Sequence, residues 1–275
     1  MIKNVNNSYH GGADRTGPGG HFRSGGAVAP SRLLILGDSI TLGVAQLGGD
    51  RITAHVETSY VDILRRELPQ LVIHIDADIH RTTADALPRL EPLLERYHPN
   101  LVLVMLGGND ADLYWKRFVI SAGRIMRHRV AVEQFTVNLQ QIVARVRAAG
   151  ATPILTDMPN HCLALRGPYL SQLSGKDVTA MIAAHGGQAT SDASLARYQQ
   201  AAAAVARAAA CPFVAYGQAL ARYPLENVAT ADGAHPNAFA HGVIAAEFKP
   251  LLAALSRPGA SAATWSQRAC AEVHA

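Results

Sequence analysis

Five short apolar runs recur along the chain, and each is followed by a polar loop and then by an amphipathic stretch. The runs are four or five residues long, are rich in Val, Ile and Leu, and lie at 33–36, 71–75, 101–105, 153–156 and 213–216. Because they are apolar at consecutive rather than alternate positions, they are typical of parallel strands covered on both faces. The pattern therefore predicts a parallel sheet of about five strands.

The stretches between the runs have a helical period. The clearest one, 132–150, repeats apolar residues three or four positions apart and ends in a glycine. Further helices are predicted at 58–68, 84–97, 194–210 and 237–255, and Pro88 and Pro92 are expected to delay or kink the second of them. Alternating strands and helices imply right-handed crossovers, so the predicted fold is α/β, a three-layer α/β/α sandwich. Ligands of such sheets bind at the carboxyl ends of the strands.

The chain is predicted to form one domain, 31–275, behind a tail. Residues 1–30 are rich in Gly, Asn and Ser without apolar periodicity, which predicts a flexible N-terminal tail, with a lid or a partner arm as the alternative. They lack the apolar segment and cleavage site of a secretory signal. Two long segments, 111–131 and 159–192, are predicted to be insertions that shape a binding site.

Composition excludes several classes of protein. Hydrophobic residues are 49% and charged residues 17% of the 275, which is typical of a globular protein with a substantial core. No apolar run approaches the ~20 residues that span a bilayer, so no membrane span is predicted and a cytoplasmic location is expected. The formal net charge is +4, and half of the excess lies in the first 30 residues (three basic residues against one acidic). The weakly basic remainder argues against nucleic-acid binding.

No cofactor or metal is predicted. The three cysteines, Cys162, Cys211 and Cys270, have neither CxxC spacing nor a nearby histidine pattern, which argues against a zinc site or a disulfide framework. Glycine-rich dinucleotide and phosphate-binding motifs do not follow any of the predicted strands.

Polar residues that could take part in catalysis lie next to three of the predicted elements. Ser39 follows the first strand at the start of a predicted helical turn, 40–45; it is either an N-cap or a nucleophile whose own N–H faces a developing anion. Asn109 follows the third strand and is either a turn residue or an oxyanion donor. Asp232 and His235 precede the last helix. Either they are a capping and a surface residue, or Asp232 orients the imidazole so that Nε2 accepts a proton from a serine.

Taken in order, the motifs 37-GDSI-40, 107-GGND-110 and 232-DGAH-235 make the chain resemble the SGNH hydrolase superfamily, also called GDSL-like esterases and lipases. The resemblance covers about residues 32–255. It implies a flavodoxin-like α/β/α sandwich and the hydrolysis or transfer of acyl esters without a metal. It also implies that Ser39 is the nucleophile, His235 the base, Asp232 its partner and Asn109 an oxyanion donor.

One position departs from the family pattern. Members often have a glycine after the second strand whose backbone N–H joins the oxyanion hole, and the alignment of 82-TTAD-85 puts His80 at that position. Glycine offers freedom at positive φ and room for substrate. Three interpretations stay open: the His80 N–H still donates into a narrower pocket, the hole has only the donors of Ser39 and Asn109, or His80 or Arg81 binds a group of the substrate.

Further pocket candidates surround these motifs. Gly108, Tyr114, Trp115 and His161 are expected near the site, although the two aromatic residues fit core packing equally well. A basic stretch from Lys116 to Arg129 is either a solvated face or a site for a substrate carboxylate or phosphate.

The predicted function is a serine esterase or deacylase that acts on a small-molecule ester, such as an O-acetyl or short acyl group of a small molecule or sugar. An acyltransferase with the same residues and an inactive binding protein are the alternatives. Oligomeric state is left open.

Overall fold

The computed structural model describes residues 30–45 and 54–257. The predicted tail (but for Pro30) and Cys270 lie outside the described residues. The five predicted strands form one parallel sheet of order β4-β1-β5-β6-β7, which is the flavodoxin-like order. The strands are β1 Ser31–Gly37, a short antiparallel pair of β2 Val44–Ala45 and β3 Ala54–His55, then β4 Leu71–Ala77, β5 Leu101–Val104, β6 Thr152–Thr156 and β7 Phe213–Val214.

All five predicted helices are present, together with shorter ones. They are α1 Tyr60–Glu67, α2 Thr83–Ala86, α3 Leu90–Tyr97, α4 Gly108–Ala111, α5 Trp115–Ile120, α6 Val132–Ala148, α7 Leu163–Ser174, α8 Val178–Ala184, α9 Gly187–Ala208, α10 Tyr216–Leu220, α11 Leu225–Val228 and α12 Ala238–Leu255. Pro88 lies in a 3₁₀ turn, Leu87–Arg89, that separates α2 from α3. The segment 159–192 contains α7, α8 and the start of α9 and is largely helical, whereas 111–131 contains α5 and is otherwise mostly loop.

The prediction of a helical turn over 40–45 is wrong in extent. The Leu42 N–H donates to the carbonyl oxygen of Asp38 (3.2 Å), which closes one turn, and the chain then leaves the helical path at Gly43, whose φ is +70°. Glycine adopts this left-handed conformation without strain. Val44 and Ala45 pair instead with β3.

Helices cover both faces of the sheet, which confirms the three-layer α/β/α sandwich. Successive side chains of a strand point to opposite faces, so Leu33 and Ile35 pack against α1, α10 and α12, whereas Leu34 and Leu36 pack against α3, α6 and α9. Helices α5, α7 and α8 form a smaller apolar cluster of their own.

Helix α12 is long and apolar enough to cross a bilayer, by length and composition alone. A buried core helix meets the same criterion. Ile244, Phe248 and Leu252 of α12 are fully buried in the core, while Glu247 and Lys249 interrupt its apolar sequence. Its packing therefore accounts for its composition without a membrane.

Buried His241 in α12 predicts a pH-dependent stability. Its Nδ1 accepts a hydrogen bond from the Tyr60 N–H (3.2 Å), its Nε2 has no partner within the described part of the chain, and burial lowers its pKa from 6.5 to about 4. Between these values the unfolded chain binds a proton that the folded protein does not. Neutral His241 therefore stabilises the fold fully above pH 6.5, and the free energy of unfolding decreases as the pH falls below this value.

We expect the wild type to lose about 2 kcal/mol more stability than His241→Phe between pH 7.5 and pH 5, measured by urea unfolding. Burial raises the pKa of Asp38, Asp110 and Asp157 to about 6, which makes the free energy of unfolding increase as pH falls. This effect is the same in the wild type and in His241→Phe, so it cancels in the comparison. Equal losses in the two proteins would show that His241 does not carry this dependence.

Candidate active site

Ser39 lies in the tight turn that follows β1 at the carboxyl edge of the sheet. A side chain at Gly37 would collide with Thr41, so the first turn residue has to be glycine. The Asp38 carboxylate accepts the Ile40 N–H (2.9 Å) and thereby fixes the turn. Ser39 is 6% exposed as a residue, and its backbone N–H has no hydrogen-bond partner among the described residues.

A chain of hydrogen bonds connects Ser39 with the loop before α12. Ser39 Oγ lies 2.9 Å from His235 Nε2, and His235 Nδ1 lies 2.6 Å from Asp232 Oδ2. Because a carboxylate can only accept, Nδ1 carries the proton and Nε2 is the acceptor for the Ser39 hydroxyl. The arrangement can therefore take a proton from the serine.

The Asp232 carboxylate is held in place by three further donors. Its Oδ1 accepts the N–H groups of Ala234 (2.9 Å) and His235 (3.1 Å) and the hydroxyl of Thr230 (3.0 Å). Burial by itself raises the pKa of Asp232, but the hydrogen bond and charge of His235 and these backbone N–H groups outweigh it. The pKa is thus well below its usual range, and the carboxylate stays ionised.

Asn109 is held at the same edge by Asp38. It lies in α4, which follows Gly107 (φ +126°), and its Nδ2 donates to Asp38 Oδ2 (3.2 Å). An amide nitrogen has two hydrogens, so the second is available to another acceptor. Burial raises the pKa of Asp38 to about 6, and the hydrogen bond from Ile40 only partly offsets this effect.

His80, which the sequence alignment predicts at the family's glycine position, has a left-handed backbone with φ +66°. This is the conformation for which glycine is favoured. The His80 N–H has no hydrogen-bond partner in the described segments. Its loop is fixed by Thr82, which caps α2 through a capping box with Asp85.

The His80 loop is also tied to the motif that carries Asn109. The buried Asp110 carboxylate accepts the Thr83 N–H (3.1 Å) and the Thr83 hydroxyl. Asn138 of α6 donates to the same hydroxyl (2.9 Å). The three loops that bear Ser39, His80 and Asn109 are therefore held next to one another.

A cavity of about 200 Å³ opens at Ser39 and His235. Four of the predicted pocket residues line it: His80, Gly108, Asn109 and His161. His80 is exposed as a whole, but the protein surrounds part of its imidazole, and this partial desolvation, followed by the charge of Arg129, lowers its pKa. Burial also lowers the pKa of His161.

Three predicted pocket residues, Arg81, Tyr114 and Trp115, do not line this cavity, so this part of the prediction is wrong. Arg81 is buried and its guanidinium pairs with Asp76, where it holds β4 rather than a substrate. Tyr114 is 40% exposed and lies under the guanidinium groups of Arg117 and Arg129. Trp115 lines a neighbouring cavity of about 120 Å³, and its Nε1 donates to Asp112 Oδ1 (2.6 Å).

Sequence reasoning missed the wall that α7 contributes. Arg166, Tyr169, Leu170 and Leu173 of α7 line the cavity together with Asp112. Their spacing of three, four and seven residues puts them on one face of the helix, a signal that the sequence contained within the predicted insertion 159–192. In the basic stretch, Lys116, Arg117, Arg124 and Arg127 are exposed, which favours a solvated face for these four.

Comparison with known proteins agrees with this architecture. No curated protein matches the chain. Among solved structures, the lipase/acylhydrolase from Enterococcus faecalis has a TM-score of 0.59 at 18% identity, covering 84% of this chain and 100% of that one.

Two further structures are similar. LAE5, an alpha/beta hydrolase enzyme from the metagenome of Lake Arreo, Spain, has a TM-score of 0.56 at 25% identity, covering 84% and 99% of the two chains. A catalytic mutant of Axe2, an acetylxylan esterase from Geobacillus stearothermophilus, has a TM-score of 0.52 at 20% identity, covering 80% and 93%. The model of the GDSL-like lipase/acylhydrolase family matches residues 35–243. The chain therefore belongs to the GDSL-like lipase/acylhydrolase family.

Proposed function

We propose that the protein is a serine esterase that removes an acetyl or other short acyl group from a small molecule. The observation that carries this proposal is the continuous series of hydrogen bonds from Ser39 Oγ through His235 to Asp232. Membership of a family of lipases and acylhydrolases supports ester hydrolysis as the reaction.

In the first step His235 Nε2 accepts the proton of Ser39, and Oγ attacks the ester carbonyl carbon. The imidazolium that forms is stabilised by the ionised carboxylate of Asp232. His235 then gives the proton to the departing alcohol, which leaves an acyl group on Ser39. His235 next takes a proton from a water molecule, which attacks the acyl carbon. The proton then returns to Ser39 Oγ as the carboxylic acid leaves.

Three donors are available for the oxyanion of the tetrahedral intermediate. They are the N–H of Ser39, the free hydrogen of Asn109 Nδ2 and the N–H of His80, none of which has a competing acceptor in the described part of the chain. The left-handed backbone of His80 supports the interpretation that its N–H still donates into a narrower pocket, because the histidine keeps the backbone conformation that a glycine would have. Each donor of this kind typically contributes ~3 kcal/mol to transition-state stabilisation.

The size of the cavity favours a short acyl group. At about 200 Å³ it is smaller than the ~300–1,000 Å³ typical of ligand pockets, and the acyl and alcohol parts share it. The structural similarity to an acetylxylan esterase agrees with an acetyl group.

A fluorophosphonate probe and a chain-length series of p-nitrophenyl esters test the proposal. We expect mass spectrometry to find the probe on Ser39, and kcat/KM to fall from acetate through butyrate to octanoate. Adding alcohol or amine acceptors tests the acyltransferase alternative, because acyl transfer to them would give ester or amide products. Probe on another residue would exclude this mechanism, and a preference for octanoate would exclude a short-acyl specificity.

A further inference from the structure

Arg166 lines the cavity beside Ser39 with its hydrogen-bonding capacity almost unused. Its side chain is only 13% exposed, and its Nε is buried with no partner in the described segments. Its Nη1 makes a long hydrogen bond of 3.4 Å to the carbonyl oxygen of Asp232. A guanidinium has five N–H donors, and buried donors are normally paired. The protein itself therefore leaves most of this group's donors for something else.

The carboxylates around Arg166 do not use its hydrogen-bond donors. Arg166 Nη2 lies 3.9 Å and Arg129 Nε 4.0 Å from the same oxygen, Asp112 Oδ2, so two guanidinium groups approach one carboxylate without a hydrogen bond to it. Arg166 Nη1 also lies 4.0 Å from Asp232 Oδ2, which accepts the Nδ1–H of His235, and it makes no hydrogen bond to that oxygen. Two guanidinium groups thus face two ionised carboxylates, so the charges balance, and what remains unsatisfied is the set of N–H donors of Arg166.

The other titratable groups of the wall do not use these donors either. No hydrogen bond joins His80 or His161 to Arg166 in the described part of the chain, burial lowers the pKa of both imidazoles, and the carboxyl of Asp38 is turned to Ile40 and Asn109. Arg166 is also fixed in position, because its guanidinium lies 5.6 Å from the centre of the Trp115 ring.

We propose that Arg166 binds an anionic group of the substrate and is a specificity-determining residue. The substrate is then an ester that also carries a carboxylate or a phosphate within reach of the scissile bond. A planar guanidinium binds either group through paired hydrogen bonds. The inference rests on the proposed esterase function and adds the class of ester that the site selects.

Matched ester pairs test this specificity. p-Nitrophenyl hemisuccinate and its methyl ester place the charge in the acyl part, and 4-acetoxybenzoate and its methyl ester place it in the alcohol part. We expect the wild type to prefer the anionic member of at least one pair by 10-fold or more in kcat/KM. Equal rates on both members of both pairs would overturn the proposal.

Substitution of Arg166 separates recognition from a structural effect. In Arg166→Gln the ratio of kcat/KM between anionic and neutral esters should fall to about one, mainly through KM, and Arg166→Lys should retain part of it because the charge remains. Arg127→Gln removes the same charge from an exposed position outside the cavity, and its ratio should equal that of the wild type. An unchanged ratio in Arg166→Gln would overturn the proposal.

Calorimetric titration with succinate and inorganic phosphate, against neutral succinamide, makes the outcome independent of turnover. Binding of either anion that weakens at least 10-fold in Arg166→Gln supports the anion site even if no ester is cleaved, in which case the esterase proposal alone fails. Cleavage of p-nitrophenyl acetate with no dependence of anion binding on Arg166 overturns the anion site and leaves the esterase proposal intact.

Discussion

Ser39→Ala is expected to lower kcat on p-nitrophenyl acetate by roughly 10⁶-fold and to leave the protein folded. In serine hydrolases the loss of the nucleophile removes about as much activity as the loss of the whole catalytic group, because the residues act as a unit. The backbone N–H of residue 39 and the Asn109 amide would remain, so a small rate above that in water is expected to persist. The measurement is steady-state kinetics with a thermal melt as the check on folding.

Ser194→Ala is the matched control. Ser194 Oγ lies 2.9 Å from His128 Nε2 in the wall of the neighbouring cavity, so it forms a second serine–histidine pair. His128 Nδ1 is bonded to the carbonyl oxygen of Ala111 (2.6 Å) and not to a carboxylate. We expect this variant to keep wild-type activity and probe labelling. Activity that survives in Ser39→Ala but is lost in Ser194→Ala would mean that the wrong serine has been assigned.

Asp232→Asn is expected to reduce kcat by up to ~10⁴-fold. Oδ1 accepts two backbone N–H groups, so an asparagine would keep its oxygen there and turn its NH₂ toward His235. An NH₂ group donates, which would force Nδ1 to become the acceptor and put the proton on Nε2. His235 could then no longer take the proton of Ser39.

The control for Asp232→Asn is Thr230→Val. It removes the hydroxyl that donates to Asp232 Oδ1 (3.0 Å) but leaves the carboxylate and both backbone donors in place. The tautomer of His235 is preserved, so kcat should fall by less than about 10-fold. A similar loss in both variants would point to a packing effect of the loop and not to the tautomer, and full activity in Asp232→Asn would show that Asp232 does not orient the base.

Much of the fold could be predicted because its elements have strong local signals. The consecutive apolar residues of 33–36 and 101–105 indicated strands buried on both faces, and the apolar period of 132–150 indicated α6 to within two residues. The signal failed at Ile40 to Ala45. One helical turn there has the same local pattern as the start of a helix, and pairing with β3 decides how the chain continues.

The resemblance to a known family, now shown for residues 35–243, carried the site assignment beyond what local patterns allow. It named Ser39, Asn109, Asp232 and His235, which the structure brings together. It offered no guide to Arg81, whose guanidinium is turned to Asp76, or to Trp115, which faces the neighbouring cavity. The direction of a side chain on a loop depends on distant partners that the loop's own sequence does not encode.

The sequence by itself determined the order of strands and helices and the three motifs at one edge of the sheet, because apolar periodicity and turn residues act over a few positions. Only the tertiary structure decided the distances from Ser39 to His235, the positive φ of His80 and the approach of Arg166 and Arg129 to Asp112. These features join residues far apart in the chain. They are set by how α7 and the loops pack over the carboxyl edge of the sheet. There the polar groups of several elements must find hydrogen-bond partners and opposite charges while their apolar groups are buried.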